Sequence, residues 1–363
     1  MNIKRLETSR LFHRFGFGPR PGEYAQALKD GVQTTRTRLT TVPAALTTST
    51  PVALPAITDL GKRPKDKTPE SVPFALAMRS QTQQMGLWWL DMMALSDHGL
   101  TERMVWFWHG HWATSIQKLN YALPMYKQNQ LFRTHALGNF NSMTKAMLND
   151  GALQFWLDGQ DNTAKAPNEN LGRELMELFV LGVNRYSEDD VKAISRVLTG
   201  YQVEKSSGVV TINQNRRDAN PVTLLGKTAS FTGDSLTDFL VARDDCATFI
   251  SERLWYRFIS STETMPTSFS AKKGFATRDI ATTIQAMAAD PSMSDEKYAM
   301  VKSPVEWFIS ACRALELTPS ALKTTGQLNN HLDKLGQVPF NPPNVGGWPA
   351  GEAWLSSATA QYR

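Results

Sequence analysis

The stretch FALAMRSQTQQMGLWWLDMMAL, residues 74–95, decides the fold class. Phe74, Met78, Met85, Trp88, Trp89, Met92 and Leu95 recur at three- and four-residue spacings, which is the period of a helix with an apolar face rather than the alternation of a strand. A second helical pattern follows from about residue 101. Upstream, 5–14 and 21–30 read as two short helices around GFGPRPGE (16–23), where Pro21 suits a first helical turn. Downstream, the same period predicts helices over 121–135, 139–149, 169–182 and 187–200. The last has Ser187 as N-cap, with an acidic residue three positions later. Further helices are predicted over 233–242, 244–260, 277–289, 297–316 and 326–335.

One region is β-like. GVVTINQ (208–214) and VTLLG (222–226) predict a small hairpin inserted between helices. The expected architecture is mainly α, a multi-helix globular array with a small β-hairpin insertion near residues 208–226, forming a single large domain over 1–363. Two irregular segments interrupt it. One is a long loop at about 40–70, rich in Thr, Pro and Lys. The other is a Pro/Gly-rich C-terminal loop at about 339–351 within PFNPPNVGGWPAGEAW.

Composition narrows the function classes. An apolar share of 41% with ten tryptophans supplies a substantial core. The net charge of +5, from 39 basic and 34 acidic residues, is spread thinly, and the one tight basic cluster, GKRPKDK (61–67), lies in the long loop. Nucleic-acid binding, which needs clustered cations, is therefore disfavoured. Cys246 and Cys312 fall inside amphipathic helices and form no CxxC knuckle, so both read as buried thiols. No apolar segment of signal-peptide length follows the basic start, and no window approaches a membrane span. The expectation is a cytoplasmic chain.

The chemistry turns on WFWHGHWATS (106–115). In an uninterrupted helix, His109 and His111 point about 200° apart, because each residue advances the helix by about 100°. If Gly110 ends the helix in the left-handed conformation, both imidazoles can face one pocket. The competing reading makes Trp106, Phe107, Trp108 and Trp112 core, with the histidines bonded to backbone carbonyls. In NENLGRELMELFVLG (168–182), Leu171, Leu175, Leu178 and Phe179 form a stripe flanked by Glu174 and Glu177. Met176, Val180 and Leu181 make the last turns apolar nearly all round, which predicts burial of the two carboxylates. A buried carboxylate must be paired, protonated or bound to a metal. Glu169 and Arg173 stand at i and i+4, and Arg173 is also in reach of Glu177.

Two readings follow, and both stay open. In the first, His109, His111 and Glu174 hold a divalent transition metal, zinc, iron or manganese, between helices. Glu177 or Glu169 then takes a proton from metal-bound water, and Arg173 orients an anionic group of a small-molecule or polymer substrate, as in a metal-dependent hydrolase. No HExxH accompanies this set. In the second, the chain is a non-catalytic binding or scaffold protein acting with an enzymatic partner, and the His/Glu/Arg cluster is a polar core.

Other motifs fail their contexts. Gly226-Lys227-Thr228 is preceded by Pro221 where a phosphate loop needs glycine, and Gly16, Gly18 and Gly22 follow no strand. Ser115 has no nucleophile-elbow pattern. Trp348 and Trp354 in the tail either cap a core or cover a ligand.

RFGFGPRPGE, ERMVWFWHGHWATS, NENLGRELMELFVLGVNRYSEDDVKAISRVLTGY, KSPVEWFISACRAL and PNVGGWPAGEAWL occur in the order found in the bacterial family catalogued as domain of unknown function 1800, which this chain resembles from about residue 10 to its end. The resemblance implies recurring polar positions at Arg14, His109, His111, Asn168, Glu169, Arg173, Glu174 and Glu177, with Trp348 in the tail. It implies no known activity. Where relatives often carry a histidine-aspartate pair, this sequence has Arg217 and Asp218. Many relatives carry export signals and sit beside genes for sulfatase-like proteins, which implies a sulfatase-like partner; the start of this sequence does not match the export signal.

Overall fold

The computed structural model describes residues 2–42, 51–323, 325–356 and 361. Three helices open the chain and pack on one another: α1 (Ile3–Arg14), α2 (Glu23–Asp30) and α3 (Val32–Thr40). The periodic run lies within one long helix, α4 (Ser71–Leu95). Its second half is buried from Met85 to Ala94 apart from Leu87, whereas its first turns are largely exposed.

Next comes α5 (Leu100–His111), in which every residue from Glu102 to His109 is buried. A helix buried on all faces cannot be a surface element, and α5 is the hub of the molecule. Around it follow α6 (Ile116–Leu119), α7 (Ala122–His135), α8 (Phe140–Leu148), α9 (Gly151–Trp156) and α10 (Asn170–Glu174). The last runs into a π-helical stretch over Leu175–Val180. Then comes α11 (Glu188–Val197), which carries the expected capping box between Ser187 and Asp190.

The β region is two hairpins rather than one. β1 (Tyr201–Glu204) pairs antiparallel with β2 (Val209–Ile212), and β3 (Val222–Leu224) with β4 (Lys227–Ala229). Residues 208–214 and 222–226 therefore do not pair with each other. Each finds its neighbour across its own turn. Leu225 and Gly226 both have positive φ, the pair of left-handed residues that a two-residue hairpin turn requires.

The chain closes with α12 (Gly233–Val241), α13 (Asp244–Phe258), α14 (Ser270–Gly274), α15 (Ile280–Ala288), α16 (Pro304–Ala314) and α17 (Leu328–Lys334). α16 starts later than the periodicity predicts. Pro304 occupies its first turn, and Ser303 with Glu306 forms a capping box there. The expected loop at 40–70 has no helix or strand over 51–70, and its residues 43–50 lie outside the described residues. The C-terminal loop is irregular up to a short 3-10 turn at Gly351–Trp354. Cys246 and Cys312 are free and buried, as expected. Among the described residues no helix is long and apolar enough to cross a membrane.

A buried polar knot ties α5 to its neighbours. Glu102 is 2% exposed and takes Arg133 Nε at 2.6 Å, Arg133 Nη2 at 2.8 Å and Trp89 Nε1 at 3.0 Å. α4, α5 and α7 thus meet on one carboxylate. A second pair, Arg103 with Glu306, joins α5 to α16.

Candidate functional site

The helix does not end before its histidines. α5 continues through Gly110 to His111, and Gly110 does not take a positive φ. The two imidazoles therefore diverge, as an unbroken helix demands. The expected redirection into one pocket does not occur.

His109 faces the C-terminal loop. The backbone N–H of Phe340 donates to its Nε2 at 3.1 Å, which leaves the ring proton on Nδ1. Trp89 and Trp348 pack on the ring with centroids 5.1 and 5.4 Å away. The side chain is 1% exposed, and burial pushes its pKa down to about 3. This histidine is a neutral anchor for the tail.

The tail is closed over α5 by a second contact. Gly347, at φ +78°, packs so tightly that an added Cβ would stand 2.2 Å from the Gly110 carbonyl oxygen. A Cβ on Gly110 itself would meet nothing within 4 Å. Gly110→Ala should therefore be neutral or stabilise α5 by roughly 0.5–1 kcal/mol. Gly347→Ala should cost at least about 2 kcal/mol, from left-handed strain plus the clash. Denaturant midpoints of the two variants test this contrast, and equal losses would mean that Gly110 has a conformational role after all.

His111 faces the opposite way. Its Nε2 lies 2.9 Å from the Phe179 carbonyl oxygen, so the proton sits on Nε2 and donates. That carbonyl belongs to the π-helical stretch, a feature frequent at functional sites. Nδ1 is then a bare lone pair, buried and without a hydrogen-bond partner. Burial first, and the charge of Arg253 second, push the His111 pKa down to about 3.

The second stretch also departs from expectation. Glu174 and Glu177 are half-buried rather than buried. Arg173 does not neutralise Glu177. It pairs with Glu169 at 3.1 Å and with Glu188 through two contacts of 2.8 Å, which engages both of its terminal nitrogens. Glu177 takes the Tyr186 hydroxyl instead. Burial, together with the neighbouring Glu177 charge, raises the Glu174 pKa.

His111 and Glu177 line one cleft of about 240 Å³, together with Arg185, Phe249, Glu252 and Arg253. His109, Glu169, Arg173 and Glu174 do not line it. Among the described residues no three His, Cys, Asp or Glu side chains converge as metal ligands would. The expected set of His109, His111 and Glu174 is therefore not assembled, because the helix carries its two histidines to opposite sides. Of the expected bases, Glu177 reaches the cleft and Glu169 does not.

Sequence reasoning missed Arg185, Phe249, Glu252 and Arg253. A signal for one was present: Arg253 and Arg257 stand at i and i+4 in ERLWYRF (252–258), like charges on one face of a helix whose Leu254, Trp255 and Phe258 are core. Arg257 is spoken for by the Trp348 and Pro349 carbonyls.

The remaining candidates have structural places. Trp348 and Trp354 are buried, and Trp348 stacks on Trp106 with centroids 5.1 Å apart. Ser115 is buried and donates to Asn341 Oδ1 at 2.9 Å. Asn168 accepts from the Asn170 N–H at the start of α10. Arg14 is buried on the Tyr298 carbonyl. Arg217 lines a different cleft, beside Thr199 and Tyr201, and Asp218 pairs with Arg196 at 2.7 Å.

A family model described as a protein of unknown function, DUF1800, matches residues 10–363, and the chain belongs to that family. No curated protein and no solved structure matches it.

Proposed function

We propose that this member of the family binds a polar substrate in the cleft between α5, the π-helical stretch and α13, with His111 as a hydrogen-bond acceptor and Glu177 as the proton acceptor. One observation carries the reading. A histidine 2% exposed presents a lone pair with no partner, and its ring forms part of a cleft wall. A buried acceptor left unmade costs free energy, so its persistence at a cleft points to a donor supplied from outside.

With its pKa near 3, His111 is neutral at physiological pH and too weak a base to draw a proton by itself. It accepts a hydrogen bond from a substrate hydroxyl or N–H. Glu177, held by Tyr186, is the proton acceptor in the same cleft. His109 belongs to the polar core, bound to the Phe340 N–H, as the scaffold reading expected of the whole cluster.

Ring-labelled histidine NMR tests the assignment. Titration with a panel of polyols, hydroxy acids and amino sugars should move the His111 ring resonances and leave His109 unmoved, and Glu177→Gln should weaken the response. A panel that moves His109 instead, or neither ring, would overturn the reading.

A further inference from the structure

We infer that the cleft at His111 takes a ligand that carries an oxyanion, a carboxylate above all, next to a hydrogen-bond donor, and that Arg253 is the residue that binds the anion. The inference rests on the reading of that cleft as the substrate site and adds the chemical class.

Arg253 lines the cleft. Its Nε is buried with no hydrogen-bond partner. Of the carboxylates that line the same cleft, Glu252, its neighbour in the chain, pairs with Arg185 at 3.3 Å and Glu177 takes the Tyr186 hydroxyl, and neither is hydrogen-bonded to Arg253. Among the described residues Arg253 makes no ion pair, and burial holds its pKa down. A guanidinium cannot shed its proton at physiological pH, so this cation stays charged while largely desolvated. Such a group is a standing cost unless an anion completes it.

The Arg253 fork offers parallel N–H donors that match a carboxylate. His111, whose Nδ1 has no partner, lines the same cleft, and the Arg253 charge helps to hold its pKa down. A cation for an anion and an acceptor for a donor therefore line one cleft. The chemistry this selects is an oxyanion with an adjacent hydroxyl or amine, as in a hydroxy acid or an acidic sugar. The role given to Arg173 by its sequence position passes to Arg253, because both terminal nitrogens of Arg173 are already engaged by Glu169 and Glu188.

Glycolate and its neutral analogue ethylene glycol are suitable probes of the full chain, read by the His111 ring resonances. Glycolate should act at concentrations at least about ten-fold lower than ethylene glycol, the scale of one lost charge-assisted hydrogen bond. Arg253→Gln should erase that difference and Arg253→Lys should keep part of it. Without ligand, Arg253→Gln should melt higher than the parent, because it removes an uncompensated charge. Equal responses to the two probes, with ethylene glycol still moving His111, would overturn the anion assignment and leave the substrate cleft standing. No response to either probe would overturn both. A lower melting temperature for Arg253→Gln would mark Arg253 as a structural cation and also count against the inference. Phosphate and sulfate, run alongside, distinguish a general oxyanion site from one shaped for a carboxylate.

Discussion

Arg133→Ala should destabilise the protein by about 3–5 kcal/mol, the scale of a buried ion pair that loses one partner. The reason is the position of Glu102. Its carboxylate is almost fully enclosed and takes two donors from Arg133 and one from Trp89. With the guanidinium gone, a single indole N–H remains to hold a desolvated charge. Arg133 also lies over the Trp88 ring at 5.1 Å, so its packing is lost as well. The double variant Glu102→Gln/Arg133→Met should recover most of the loss, because an apolar replacement with a neutral partner leaves no buried charge. Guanidinium unfolding measures all three proteins. A cost below about 1 kcal/mol for the single variant would mean that water reaches Glu102, since that is the value of exposed pairs. The consequence for function is positional. This knot fixes α5 between α4 and α7, and α5 carries His111 into the cleft.

Acid should unfold this protein more steeply than an ordinary helical domain. Burial pushes His13 down to about 4 and His109 and His111 down to about 3. All three are neutral in the native state, whereas in the unfolded chain they take up protons below about pH 6.5. The unfolded state then binds more protons, so stability is full above pH 6.5 and is lost as pH falls toward the folded values. Asp150 works in the other direction. Burial raises its pKa to about 7, although it accepts from the Leu153 N–H and from Gln128. Its contribution is full below its unfolded value near 4 and is lost as pH rises toward 7.

Between about pH 4 and 6.5 these four groups stand at three protons against one, so they alone make stability fall by roughly 2–3 kcal/mol per pH unit, and His98 and His135, whose pKa values burial also lowers, act in the same direction. His111→Gln should flatten that slope by about 1.4 kcal/mol per unit, one proton's share, and Asp150→Asn should steepen it by a similar amount. Unfolding curves at half-unit intervals from pH 7.5 to 4.5 give the slope directly. A flat profile down to pH 5 would show that the histidines are solvated or already charged in the native protein.

Helix positions were legible because packing demands a repeating apolar face. Residues 74–95 show it most clearly, and the observed α4 contains all of them. The caps were legible too. Ser187 three residues before Asp190 makes its capping box as the local pattern requires. Short polar elements such as α3, with its TTRTR run, carried no such signal. The hairpins were half-legible: strand character showed in the residues, but the choice of partner depended on the left-handed turn at Leu225 and Gly226.

By itself, the sequence determined the helical architecture, the free buried cysteines, the family and the two stretches on which the chemistry turns. Each of these is set by periodicity, capping or motif, which act over a few residues. The tertiary structure alone decided what the histidines and carboxylates do. That α5 runs on through Gly110, with Gly347 from far along the chain against its carbonyl, is a fact of the packed molecule. Whether Arg173 would be free depended on Glu188, on another helix. Arg253 reaches the cleft only because α13 packs against the π-helical stretch. Burial and the hydrogen-bond partners of a side chain are properties of the packed molecule, and the sequence around a residue does not contain them.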